Sequence, residues 1–239
     1  MGVTLESDVV IVLVAVAAVA LVPTMGAWYL WSLYERRRVA ALARYAESRG
    51  WGFEAADKAW TGIAEGEPFG EGWGWKARYV MRGSYAGLPS VVFAYRWVTR
   101  SGNSRVTHRA GVYAVALPVD LPWVHIRSER FSDTAAHLFG GQDIELESEE
   151  FNLAFRVRGG DERFAYDLLN PRTMEALLAA RALIVQIWGR YLIATLDGGL
   201  DLEWVDYSLN LLAGMVARLP DFVWTDRGET PPQVKQRSA

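Results

Sequence analysis

Residues 9–34, VVIVLVAVAAVALVPTMGAWYLWSLY, form a run of 26 without a charge. A helix rises about 1.5 Å per residue, so the run spans roughly 39 Å, more than the ~30 Å hydrocarbon core of a bilayer. Val, Ile, Leu and Ala fill its centre, and a helix satisfies its own backbone groups where water is absent. Pro23 and Gly26 interrupt its second half, which membrane helices tolerate better than water-soluble ones. Trp28, Tyr29, Trp31 and Tyr34 crowd one end, as amphipathic rings do at headgroup level, and Arg36, Arg37 and Arg38 follow Glu35 at once. The run reads as a single transmembrane helix. A buried core helix does not need so long an uncharged stretch closed by aromatics and arginines.

The flanks give the orientation. Residues 1–8 carry Glu6 and Asp8 and no Lys or Arg, whereas the other side carries Arg36, Arg37, Arg38, Arg44 and Arg49. Positive charge stays on the cytoplasmic side, which places the short N-terminus (1–8) outside and residues 35–239 in the cytosol. A cleavable signal peptide is the competing reading, since Ala15-Val16-Ala17 and Ala18-Val19-Ala20 are small-x-small triplets. It would put the domain outside the cytoplasm, but the segment lacks a basic n-region and is longer than an h-region. The absence of Cys fits a reducing compartment. The excess of Arg over Lys, with much Ala and Gly, points to a GC-rich bacterial genome and hence to a bacterial cell membrane.

Past the span, about 205 residues suffice for one domain with a real core. A net charge of −3 and a pI near 5.7 provide no overall basic field for nucleic acid. Residues 35–50 continue as an amphipathic juxtamembrane helix with Val39, Leu42, Ala43 and Ala46 on one stripe, stopped by Gly50.

From 51 to 117 the period becomes two. Lys76, Arg78 and Arg82 alternate with Ala77, Tyr79 and Met81; then Val91, Phe93, Tyr95 and Trp97 alternate with Ser90, Val92, Ala94 and Arg96. Turns at Ala86-Gly87 and at residues 101–104 are too short for a parallel crossover, so the strands form an antiparallel meander. A short strand at 123–127 and a surface connection over 128–142 follow. A helical turn at 145–151 leads to a strand at 154–158, then helices at 161–169 and 172–180. A hairpin about Gly189-Arg190 joins 183–188 to 191–196. Residues 201–219 form an amphipathic helix with Leu202, Val205, Leu209, Leu212 and Val216 on one face. Residues 225–239 read as a disordered tail. The predicted fold is therefore α+β: an N-terminal transmembrane helix (9–34), then an antiparallel sheet domain (51–224) with helices from its C-terminal part packed on it.

Residues 147–178, ESEEFNLAFRVRGGDERFAYDLLNPRTMEALL, carry Glu150, Phe151, Phe155 and Val157, then Asp161, Ala165, Leu168, Leu169, Pro171, Met174, Glu175, Leu177 and Leu178. This pattern resembles a motif of uncharacterised bacterial membrane-anchored proteins. Pro68-Phe69-Gly70 with Gly72, and Gly83 two before Tyr85, resemble the actinobacterial branch. The resemblance implies a domain of unknown function and transfers no activity. The motif itself reads as architecture, a strand flanked by helix pieces on a sheet.

Signals for chemistry are thin. Asp143, Glu145, Glu147, Glu149 and Glu150 offer oxygen ligands but lack EF-hand spacing. Gly66, Gly70, Gly72 and Gly74 lack the Lys and Ser/Thr of a phosphate-binding loop. His108, His125 and His137 have no Cys and no close ligand pair for zinc. Ser84 and Ser101 stand outside any G-x-S-x-G elbow. No catalytic, cofactor or metal residue is assigned. Trp73 and Trp75, set between glycines, read either as cover for the sheet or as rings that touch a partner or a lipid. The expected function is a membrane-anchored, non-catalytic domain for protein interaction or sensing. Its partners would be the lipid bilayer and an unidentified membrane or cytosolic protein, without nucleic acid; homo-oligomerisation is left open, the apolar segment having Gly26 but no G-x-x-x-G. The alternative is a domain binding a lipid or small amphiphile at the membrane surface. A hydrolase with an unrecognised site is the third reading, and it would show a cleft where a carboxylate and a histidine meet with shifted pKa values.

Overall fold

The computed structural model describes residues 3–128, 142–180 and 183–235, with side chains from residue 24 onward except at 142. Side chains of the apolar centre of the expected span, most of the expected surface connection with His137, and residues 236–239 lie outside this description.

The chain forms two compact units, 1–45 and 46–239. The first is a single helix, α1 (Val3–Ser48), whose final turn belongs to the second unit. It runs without a break through Pro23, Gly26 and residues 34–35. Among the described residues no helix is long and apolar enough to cross a membrane, and the side chains of the apolar centre of α1 lie outside the description. The predicted stop at Gly50 is a Schellman ending. Gly50 takes φ +67° and donates to Glu47 O at 2.9 Å, while Trp51 donates to Ala46 O at 2.8 Å.

The second unit is built on one nine-stranded sheet in the order β1-β2-β3-β4-β9-β8-β5-β7-β6, with every neighbouring pair antiparallel. Its strands are β1 (Gly52–Ala56), β2 (Trp73–Tyr85), β3 (Leu88–Ser101), β4 (Ser104–Ala116), β5 (Val124–Ser128), β6 (Gln142–Asp143), β7 (Phe155–Gly159), β8 (Leu183–Trp188) and β9 (Tyr191–Asp197). The predicted three-strand meander is β2, β3 and β4, and β1, which the period did not reveal, adds an antiparallel edge strand to it. The β8–β9 hairpin then lies between β4 and β5, a position that suits β8, whose Leu-Ile-Val-Gln-Ile run is buried on both faces.

The expected alternation along β2 fails in the middle. A bulge lies between Arg78 and Met81, with Tyr79 at φ +56°, so Tyr79, Val80 and Met81 are buried in succession. Arg82 therefore changes face relative to Lys76 and Arg78. A second bulge lies between Trp73 and Lys76.

Each face of the sheet has its own cover. On one face Val91, Phe93, Tyr95 and Trp97 of β3 meet Val112 and Ala114 of β4 and Ile193 of β9. Residues 57–72 lie over them, bringing Ile63, Ala64, Phe69 and Trp60. On the other face lies α5 (Glu203–Arg218), packed against β4, β9 and β3. Its buried stripe contains Val205, Leu209, Leu212 and Val216, as its spacing predicts.

The 147–178 motif folds as α2 (Glu149–Ala154), β7, α3 (Glu162–Leu168) and α4 (Pro171–Ala179). Ser148, Asp161 and Asn170 cap the three helices through their side-chain oxygens, and Pro171 takes the first helical position of α4. Past α5, a short helix α6 (Phe222–Thr225) buries Trp224. Within the stretch expected as a tail, Lys235 N–H donates to Ala86 O at 2.9 Å.

Candidate functional site

Residues 57–72 form a strap across one face of the sheet. A 3-10 helix, Lys58–Gly62, starts it, capped by Asp57. Trp60 packs on Phe93 and Tyr191 at ring-centroid distances of 6.2 and 6.0 Å. Phe69 packs on Tyr95 at 4.9 Å, which fixes the strap over β3. Glu67 reaches β5, where its carboxylate accepts from Arg127 Nη1 at 2.9 Å. Gly66, Gly70, Gly72 and Gly74 all have positive φ. A side chain at Gly72 would place its Cβ 2.0 Å from Val98 O, so the glycines that suggested a phosphate cradle serve the strap's close path over β3.

A polar cluster lies under the strap. Glu71 is half-buried, and its carboxyl is raised above the usual range by burial and then by the Glu67 charge; the Trp97 indole N–H and Arg127 oppose the shift. Tyr95 is raised by burial and by the Glu71 charge. His125 is lowered to about 4, first by burial and also by the nearby Arg127 and Arg158 charges, against a backbone hydrogen bond at Glu67 that raises it. No hydrogen bond of regular geometry closes on Tyr95 Oη or Trp97 Nε1, although Gly70 and Glu71 lie beside them. Trp97 also stacks on His108 at 5.0 Å, and Thr99 Oγ1 meets His108 Nε2 at 2.7 Å. Glu71 and His125 both have shifted pKa values and both feel Glu67 and Arg127, but His125 is 6% and Tyr95 1% exposed. Neither presents an edge to a substrate.

The fold has a solved counterpart. It is similar to the crystal structure of the mycobacterial trehalose monomycolate transport factor A, TtfA, with a TM-score of 0.58 and 14% identity over 76% of this chain and 96% of that one. At that identity the likeness is one of fold. No protein-family model matches the chain, and no curated protein matches it.

Trp73 and Trp75 lie in the first three residues of β2, 41% and 43% exposed. Trp75 Nε1 donates to Glu71 O at 2.6 Å, tying that ring to the end of the strap. On α1, Trp28, Tyr29, Trp31 and Tyr34 are all between 58% and 68% exposed; Arg36 and Arg37 are exposed and Arg38 is half-buried. The acidic run is dispersed: Asp143 accepts from Arg158 Nε at 2.7 Å, Glu149 and Glu150 sit in the first turn of α2, and no metal-holding group occurs among the described residues. A groove of 160 Å³ beside α3 and α6 falls below the roughly 300–1,000 Å³ of small-molecule sites.

Sequence reasoning missed Glu67, Glu71 and Arg127. One trace was available: His125 and Arg127, two apart and alternating with Val124 and Ile126, put two polar groups on one face of the strand.

Proposed function

We propose that this chain is a membrane-anchored accessory protein without catalytic chemistry, holding a protein partner at the bilayer surface in the handling of an amphiphilic lipid. The observation that carries the reading is the collar on α1, four exposed aromatic rings followed by three arginines, directly after an apolar run long enough to span a membrane. In this reading α1 crosses the bacterial cell membrane once, and the sheet unit lies in the cytosol.

The lipid connection draws support from the fold shared with a trehalose monomycolate transport factor. Contact rather than enclosure of the lipid draws support from the sheet, whose central positions are filled on both faces. Val92, Phe93, Val112, Tyr113, Ile193 and Ala194 are buried to within 0% exposure. The closure of His125 and Tyr95 beneath the strap favours a structural over a catalytic use of the polar cluster. Trp75, exposed on β2 beside the end of the strap, is the contact proposed for the protein partner.

A pull-down of the full chain from native membranes tests this. A partner that depends on Trp75 and co-purifies with lipid-handling proteins is the expected result. Recovery of the chain alone, or with the same proteins when Trp75→Ala is used, contradicts it.

A further inference from the structure

Strands β2, β3 and β4 contain no Asp or Glu along their lengths, although the whole chain has a net charge of −3. They carry basic residues instead, and the register gathers on one face five of these besides Arg78, which lies two residues from Lys76 and stacks on the Tyr79 ring. Arg96 lies directly opposite Arg109, and Arg100 opposite Arg105; on the other side of β3, Lys76 is opposite Arg96 and Trp73 opposite Val98. Residues opposite one another, or two apart on one strand, share a face. The two arginine pairs, Lys76 and Trp73 therefore form one array, on the face that bears α5 further along the same strands. Like charges directly opposite destabilise a sheet. None of the five cations has a hydrogen bond or an ion pair among the described residues, and all but Arg96 are exposed.

We propose that this face of the β3–β4 hairpin docks on an anionic lipid surface. The array is spread over three strands at about 4.8 Å spacing. Such a plane of charge matches a layer of headgroups better than a single phosphate. Trp73, exposed within it, supplies the amphipathic ring that settles at a membrane interface. The choice of a bilayer over an acidic protein rests on the membrane address proposed above, and the experiment separates the two failures.

The full chain is loaded into nanodiscs of phosphatidylcholine, and the discs are mixed with vesicles containing either phosphatidylcholine alone or about 30% phosphatidylglycerol. Failure to load speaks against the anchor; loaded discs then test the patch. Co-sedimentation with the anionic vesicles only, suppressed at about 0.5 M salt, is expected. The double variant Arg100→Glu/Arg105→Glu weakens it by about tenfold or more, and the milder Arg100→Gln/Arg105→Gln by less. Equal sedimentation with both vesicles overturns the proposal. So does anionic-vesicle binding indifferent to the glutamine pair, or capture of an acidic protein by discs that bind no vesicle.

Discussion

Arg127 on β5 donates to the carboxylate of Glu67 at 2.9 Å, joining the strap to a strand four places along the sheet from β3, where Phe69 packs. The Arg127 side chain is 9% exposed and that of Glu67 21%. Removing one partner leaves the other charge in a poorly solvated place. Arg127→Ala is expected to destabilise the sheet unit by about 2–3 kcal/mol, somewhat below the cost of breaking a fully buried pair. Urea denaturation measures the loss, and hydrogen exchange should show faster opening across 63–71 than in β8.

His125 gives the fold a pH dependence with a definite sign. Its folded pKa of about 4 lies below the unfolded value of about 6.5, so the unfolded chain takes up the proton first. Stability is then full above the unfolded pKa and falls between about pH 6.5 and 4, by about 3 kcal/mol at most. Glu71, raised in the folded state, acts in the opposite direction in acid and offsets part of the fall. Chemical denaturation from pH 8 to 4.5 checks this, and His125→Gln should flatten the curve.

Two glycines with nearly equal φ separate strain from close packing. Gly72 has φ +58° and Gly102 has φ +57°, yet a Cβ at Gly72 meets Val98 O at 2.0 Å while one at Gly102 meets nothing within 4 Å. Gly102→Ala should cost about 1 kcal/mol, the backbone conformation alone. Gly72→Ala should cost about 3 kcal/mol or more, because backbone has to move as well. Thermal unfolding of the pair compares them directly.

The aromatic rings on β2 are exposed enough for their loss to be tolerated by the fold. Trp75→Ala is expected to change stability by about 1 kcal/mol or less. A matched loss of the co-purifying partner at unchanged stability is the outcome that marks a contact residue.

Much of this architecture was legible because each element stood on a local rule. The β8–β9 hairpin follows from Gly189-Arg190 between two apolar runs, the cap at Asp161 from residue type, and the start of α4 from Pro171. The stripe Val205, Leu209, Leu212, Val216 follows from period. The insertion of β9 and β8 between β4 and β5 did not follow, because pairing order is set by long-range burial. The β2 bulge was hidden for a similar reason: Tyr79 at positive φ is held by its surroundings, not by its own preference. The polar cluster was invisible because Glu67 and Arg127 are 60 residues apart. By contrast, the acid-free character of β2–β4 lay open in the sequence, but its meaning needed the register that sets Arg96 against Arg109.

The central claim is that α1 holds this protein in a bilayer. Membranes from cells carrying the full chain, washed with alkaline carbonate and then extracted with detergent, test it most directly. The account predicts that the chain stays in the carbonate pellet and leaves only with detergent. Release of the intact chain into the carbonate wash would contradict it.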